Sequence, residues 1–109
     1  MILDKEESLI EGIKNKNSII YKDSDVSIKI IIDDSVRLIR ENNEFKMEML
    51  FDKNKQTTCK YLLKEYNKCL DLLLETKMIN YDDNHIDILY RIIDSSDDYI
   101  NFKLEFEEI

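Results

Sequence analysis

The chain carries one histidine, His85, set in the run Asp82-Asp83-Asn84-His85-Ile86-Asp87. A metal site here would draw on His85 with Asp83 and Asp87. Calcium asks for six or more oxygens in a loop turned by a central glycine, and zinc asks for more His or Cys than the segment has. The run therefore reads as an acidic, solvated turn, with no metal expected. A nucleophile pair of His85 with Cys59 or Cys69 is the other chemistry on offer. Both cysteines fall on an apolar stripe, where burial keeps a thiol protonated and inert. On one helix, ten residues would hold them about 15 Å apart, beyond the roughly 7 Å between Cα atoms that a disulfide tolerates. Both are expected reduced and buried, as in a cytoplasmic protein. With 24 acidic side chains in 109 residues, neighbouring carboxylates arise without any glycosidase-type pair. No Ser-His-Asp spacing stands out. The one glycine, Gly12, cannot build a phosphate-cradling loop, and there is no proline. No catalytic residue, cofactor or enzymatic activity is expected.

Charge is what remains. The formal balance is −8, from 24 acids against 16 bases. Nearly all of the excess lies after position 81: Asp82, Asp83, Asp87, Asp94, Asp97, Asp98, Glu105, Glu107 and Glu108 stand against Arg91 and Lys103. Such asymmetry predicts a surface that steers a basic partner. Lys60, Lys64 and Lys68 recur every fourth residue and would form a basic row on a helix. The neighbouring Glu65, Asp71 and Glu75 make that row a solvated face, so direct nucleic-acid binding is not expected. Tyr61 and Tyr99, facing outward, would supply aromatic contact area to a protein interface, whereas Tyr66 and Tyr90 fall on apolar faces and read as core.

These groups must be positioned by a small number of elements. The length allows one domain, residues 1–109. A 43% apolar share is enough for a core. No apolar run approaches the roughly 20 residues of a membrane span, and the start lacks the basic and apolar stretches of a secretory signal, so a soluble, cytoplasmic protein is expected. Asp4 to Asn15 reads as a short helix, capped by Asp4 with Glu7 returning the bond. From Ile19 to Phe51 the period is two. Val26, Ile28, Ile30 and Ile32 make one strand, Ser35 to Glu41 a second, and Phe45, Met47, Met49 and Phe51 a third. Asn42-Asn43 turns between the last two at positive φ. Ile19 to Lys22 adds a short strand before them.

Lys55 to Ile79 reads as a long helix. Cys59, Leu62, Leu63, Tyr66, Cys69, Leu70, Leu73 and Leu74 fall three and four apart, and Thr57 or Thr58 would cap it. Asn84 to Asp94 fits either period: Ile86, Ile88, Tyr90 and Ile92 as a strand, or Ile86, Leu89, Tyr90 and Ile93 as a helix. A hairpin with the alternating Ile100, Phe102, Leu104 and Phe106 favours the strand. The predicted architecture is α+β, a mostly antiparallel sheet of about five strands packed on one long helix, with a short N-terminal helix.

The functional expectation is a non-catalytic, acidic protein-binding module that inhibits or neutralises a basic, nucleic-acid-handling protein such as a nuclease or effector. Its acids would occupy the surface that phosphates fill. In size, charge and architecture the chain resembles bacterial immunity proteins and phage anti-defence proteins such as anti-CRISPRs. The alternative is a dimeric acidic secretion chaperone or adaptor: helix, three strands, helix, two strands resembles the layout of type III secretion chaperones. Neither reading involves a membrane.

Overall fold

Alternation of period two governs far more of the chain than the stretch from Val26 to Phe51. The computed structural model describes residues 2–4, 9–10, 12–15, 17–82, 85–93 and 98–106, with the backbone alone for 2–4, 9–10 and 106. Among these residues there is no helix. The strands are β1 (Ile2–Asp4), β2 (Leu9–Ile10), β3 (Gly12–Lys14), β4 (Ser18–Asp23), β5 (Val26–Ile32), β6 (Val36–Glu41), β7 (Phe45–Phe51), β8 (Thr57–Leu63), β9 (Lys68–Tyr81), β10 (His85–Ile92) and β11 (Ile100–Phe106). The protein is all-β, and the α+β expectation is overturned.

Nine antiparallel strands, β3 to β11, form a meander in chain order, and the sheet curls into a half-barrel. β1 adds to the free side of β11, and β2 adds to β1. That leaves β2 and β3 at opposite ends of the strand order, although one residue separates them in the chain. Ends so far apart in the sheet can be neighbours in sequence only if the sheet bends round on itself, and β2 indeed lies against β4. Right-handed strand twist supplies the bend.

The concave face holds the core. Ile19 and Tyr21 on β4, Ile28 and Ile30 on β5, Val36 and Leu38 on β6, and Met49 and Phe51 on β7 are all buried. Their odd and even positions match across each ladder, so that Ile30 pairs with Ile19 and Leu38, and Leu38 with Met49. β10 and β11 contribute Ile86, Ile88, Tyr90 and Leu104. The strand reading of Asn84 to Asp94 is the one the structure adopts, over His85–Ile92.

The expected long helix is a β-hairpin. Of its supposed stripe only Cys59 and Leu74 are buried, while Tyr66 is 71% exposed and Cys69, Leu70 and Leu73 are also exposed. Inward positions instead recur by two, as Thr57 and Cys59 on β8 and Leu72, Leu74 and Thr76 on β9. The hairpin carries apolar residues on both faces, and that produced the three-and-four spacing. Thr57 caps nothing; its hydroxyl donates to the Leu50 carbonyl of the adjacent strand. The lysine row dissolves as well: Lys60 stands opposite Asp71, and Lys64 reaches Glu41 at 2.8 Å from the turn. The expected N-terminal helix is replaced, over its described residues, by β2, β3 and the end of β1.

The hairpin turns at Lys64 to Asn67, where Asn67 adopts φ 49° and its N–H donates to the Lys64 carbonyl at 3.3 Å. Asn is the non-glycine residue that tolerates this left-handed region best. Asn67→Gly should stay within about 0.5 kcal/mol of wild type, and Asn67→Val should cost about 1–2 kcal/mol. Inside a helix the glycine would itself cost about 1 kcal/mol. Urea unfolding of the two variants measures the difference, and a glycine variant as damaged as the valine one contradicts the hairpin. The β6–β7 turn also departs from expectation. Asn42 keeps negative φ, and its Oδ1 instead accepts the N–H groups of Glu44 and Phe45 at 2.8 and 3.0 Å.

β9 contains a bulge. Leu89 pairs with Met78 and Tyr90 with Thr76, which leaves Lys77 as the extra residue. The bulge resets the alternation, so Thr76 and Ile79 both turn toward the core. Among the described residues no helix is long and apolar enough to cross a membrane.

Candidate functional site

The curl brings β4, β5, β6 and β7 across from β10 and β11, and the gap between them holds a cavity of about 110 Å³. Ile28, Leu38 and Met49 form one wall; Tyr90, Ile100 and Phe102 form the other. Each comes from an inward register position: Ile100 stands opposite Tyr90, and Phe102 opposite Ile88. Tyr21 and Asp23, at the end of β4, and Lys103 complete the lining with Arg40.

Arg40 is the unusual member. It follows Val36 and Leu38 at the next inward position of β6, flanked across the ladder by Ile28 and Met47. An ionised side chain on the concave face of a sheet needs water or an acid to offset its desolvation. Arg40 is half-buried, and among the described residues it makes no hydrogen bond or ion pair. Its charge acts on Tyr90. Burial pushes the Tyr90 phenol up from its ordinary value and Arg40 pulls it partly back. Asp23 lines the same cavity, while Lys103 borders it from an outward register position of β11, opposite Asp87.

Sequence reasoning missed this site, although a signal for it was present. The alternation that assigned Val36 and Leu38 to the core assigns Arg40 to the same face, and a charge at the third inward position of an otherwise apolar strand marks a solvated or ligand-facing group.

The predicted surface residues lie elsewhere. Asp82 is exposed, accepts the backbone N–H of His85 at 2.9 Å and lies 2.9 Å from its Nδ1. Asp87 stands between Asn80 and Lys103 on the convex face, with one carboxylate oxygen buried and, among the described residues, without a hydrogen bond. Glu105 is exposed opposite His85, and Asp98 is exposed. Asp83, Asp94, Asp97 and Glu107 lie outside the described residues. On the convex side of β9 to β11, therefore, Glu75, Asp87 and Glu105 interleave with Lys77, Arg91 and Lys103.

The best-formed polar cluster on that side is built around Tyr99. Its hydroxyl donates to Glu75 Oε1 at 2.8 Å, and Arg91 Nε approaches the same oxygen at 3.2 Å. These bonds, the Tyr99 one first, hold the Glu75 carboxyl below its ordinary range and raise the Tyr99 phenol. Lys77 lies 5.0 Å above the Tyr99 ring. Tyr99 is thus committed to its own sheet. Tyr61 is half-buried and stacks on Phe45 at 5.6 Å and 8°. Of the two tyrosines expected in the core, Tyr90 is buried and Tyr66 is not.

Cys59 is buried, and desolvation raises its thiol above the ordinary value; Cys69, expected buried, is exposed. Among the described residues no group of three His, Cys, Asp or Glu side chains could hold a metal ion.

A family described as a domain of unknown function, DUF1934, matches residues 9–106. No curated protein and no solved structure matches the chain.

Proposed function

We infer that this chain, which belongs to the DUF1934 family, is a non-catalytic binding protein that takes a small ligand into the concave face of its half-barrel. The observation that carries the reading is the cavity itself: apolar residues on both sides and a guanidinium that, among the described residues, has no hydrogen bond or ion pair. Binding sites commonly combine apolar walls with a few convergent polar groups that fix orientation. A curled sheet offers such a place on its concave face. At about 110 Å³ the cavity is smaller than a drug-sized site. It suits a ligand of few atoms, or one end of a longer molecule that projects through the opening.

Two-dimensional amide and methyl NMR spectra recorded while fragments are added test this reading. Shifts should concentrate on Ile28, Leu38, Met49, Tyr90 and Phe102. Shifts confined to the convex face, or none at all from a broad set of fragments, would remove it.

A second reading keeps the basic protein partner inferred from the net charge of −8. One observation favours a macromolecular contact: the end of the β8–β9 hairpin exposes Tyr66 and Leu70 beside the Phe45–Tyr61 stack. Such a partner would move the shifts to that hairpin. The secretion-chaperone alternative rested on a helix–strand order that the described residues do not show.

A further inference from the structure

We propose that the cavity selects a small monocarboxylate, with its carboxylate on Arg40 and its apolar body between Leu38, Met49 and Phe102. The inference rests on the reading of the cavity as a ligand site and adds the chemical class of the ligand.

Three observations lead to it. The first is charge. Arg40 is the cation at an inward position of the lining, and one guanidinium matches one carboxylate in charge. A dianion such as a phosphate monoester would leave negative charge facing apolar walls, at a desolvation cost the site does not offset. The second is geometry. A guanidinium presents parallel N–H donors in a fixed plane that matches the two oxygens of a carboxylate, and among the described residues no acid engages the Arg40 fork. The Tyr90 hydroxyl, free of a described hydrogen bond and close enough to sense the Arg40 charge, is a second donor. Burial keeps that phenol protonated, so it donates at neutral pH. The third is size. At about 110 Å³ the cavity approaches the roughly 150 Å³ that holds a single six-membered ring. Ile28, Leu38, Met49, Ile100 and Phe102 supply dispersion contacts on both sides of such a body.

The probes are benzoate, benzyl alcohol, benzylamine and inorganic phosphate, titrated one at a time and followed by the NMR signals of Leu38, Met49 and Phe102. Wild type should bind benzoate roughly tenfold or more tighter than benzyl alcohol, with benzylamine and phosphate weaker still. Arg40→Met keeps the apolar stem of the side chain and removes the charge. It should weaken benzoate on the order of 10- to 100-fold and leave benzyl alcohol unchanged. An amide spectrum that matches wild type away from β6 confirms that the variant is folded, and Arg40→Lys, which keeps the charge without the fork, serves as the second variant. Benzyl alcohol binding as well as benzoate, or benzoate indifferent to Arg40→Met, overturns the anion preference while the cavity still counts as a site. Phosphate binding as tightly as benzoate overturns the apolar part of the assignment. If no probe moves the lining residues, the cavity reading fails and this inference fails with it.

Discussion

Phe51→Ala should lower the free energy of unfolding by about 3–5 kcal/mol, the usual cost of removing a fully buried aromatic ring. Phe51 is 0% exposed. Its ring lies 5.0 Å from that of Tyr90, tilted by 59°, within the range of favourable aromatic pairs. The two rings come from β7 and β10, which are not neighbours in the sheet: β8 and β9 lie between them. Only the curl lets them touch, so their contact is a direct measure of the curl's contribution. Against a total stability on the order of 5–15 kcal/mol, the loss is large enough to move the urea midpoint steeply. The slope of the transition should not change, because the native surface is the same. A loss below about 1 kcal/mol would show that the two halves of the sheet do not share a core.

Ile88→Asp should do still more, and Leu89→Asp much less. Ile88 is 1% exposed and faces Ile79 and Phe102 across its two ladders. A carboxylate there would be buried against Ile79 and Phe102, and such changes cost more than about 4 kcal/mol. The variant should be largely unfolded under ordinary conditions, visible as a collapse of amide dispersion in the NMR spectrum. Leu89 points to the convex side, half-buried between Met78 and Asn101. Its replacement should cost about 1 kcal/mol, the loss of partial burial and strand propensity. A helix through this segment would invert the order, since Leu89 would then share a face with Ile86 and Tyr90 while Ile88 stood aside. Equal damage at both positions contradicts the register of β10.

Much of the sheet is legible in the amino-acid order. Val26 to Ile32, Phe45 to Phe51 and Ile100 to Phe106 alternate, and each is a strand, with Ile28, Ile30, Met49, Phe51 and Leu104 in the core. One buried face and one wet face leave a period-two signature that no helix can reproduce. The hairpin from Thr57 to Tyr81 was misread for an equally physical reason. Leu, Lys and Glu favour helices locally, and apolar residues on both faces of a strand imitate helical spacing. The turn that should have divided the segment, Lys64 to Asn67, contains neither glycine nor proline. Pairing with β7 on one side and β10 on the other outweighs the local preference, because burial of a strand in the middle of a sheet exceeds the propensity difference of a few tenths of a kcal/mol per residue.

The amino-acid order by itself therefore determined which side chains are apolar, where most strands run and, through the parity of β6, that Arg40 belongs to the inner face. Tertiary structure alone decided that the sheet would curl and that β4 to β7 would stand opposite β10 and β11 with a cavity between them. Alternation is a property of one strand and its neighbours, and it carries no record of which distant strand lies across the concave face. That is set by twist accumulated over nine strands and by the packing of rings such as Phe51 and Tyr90.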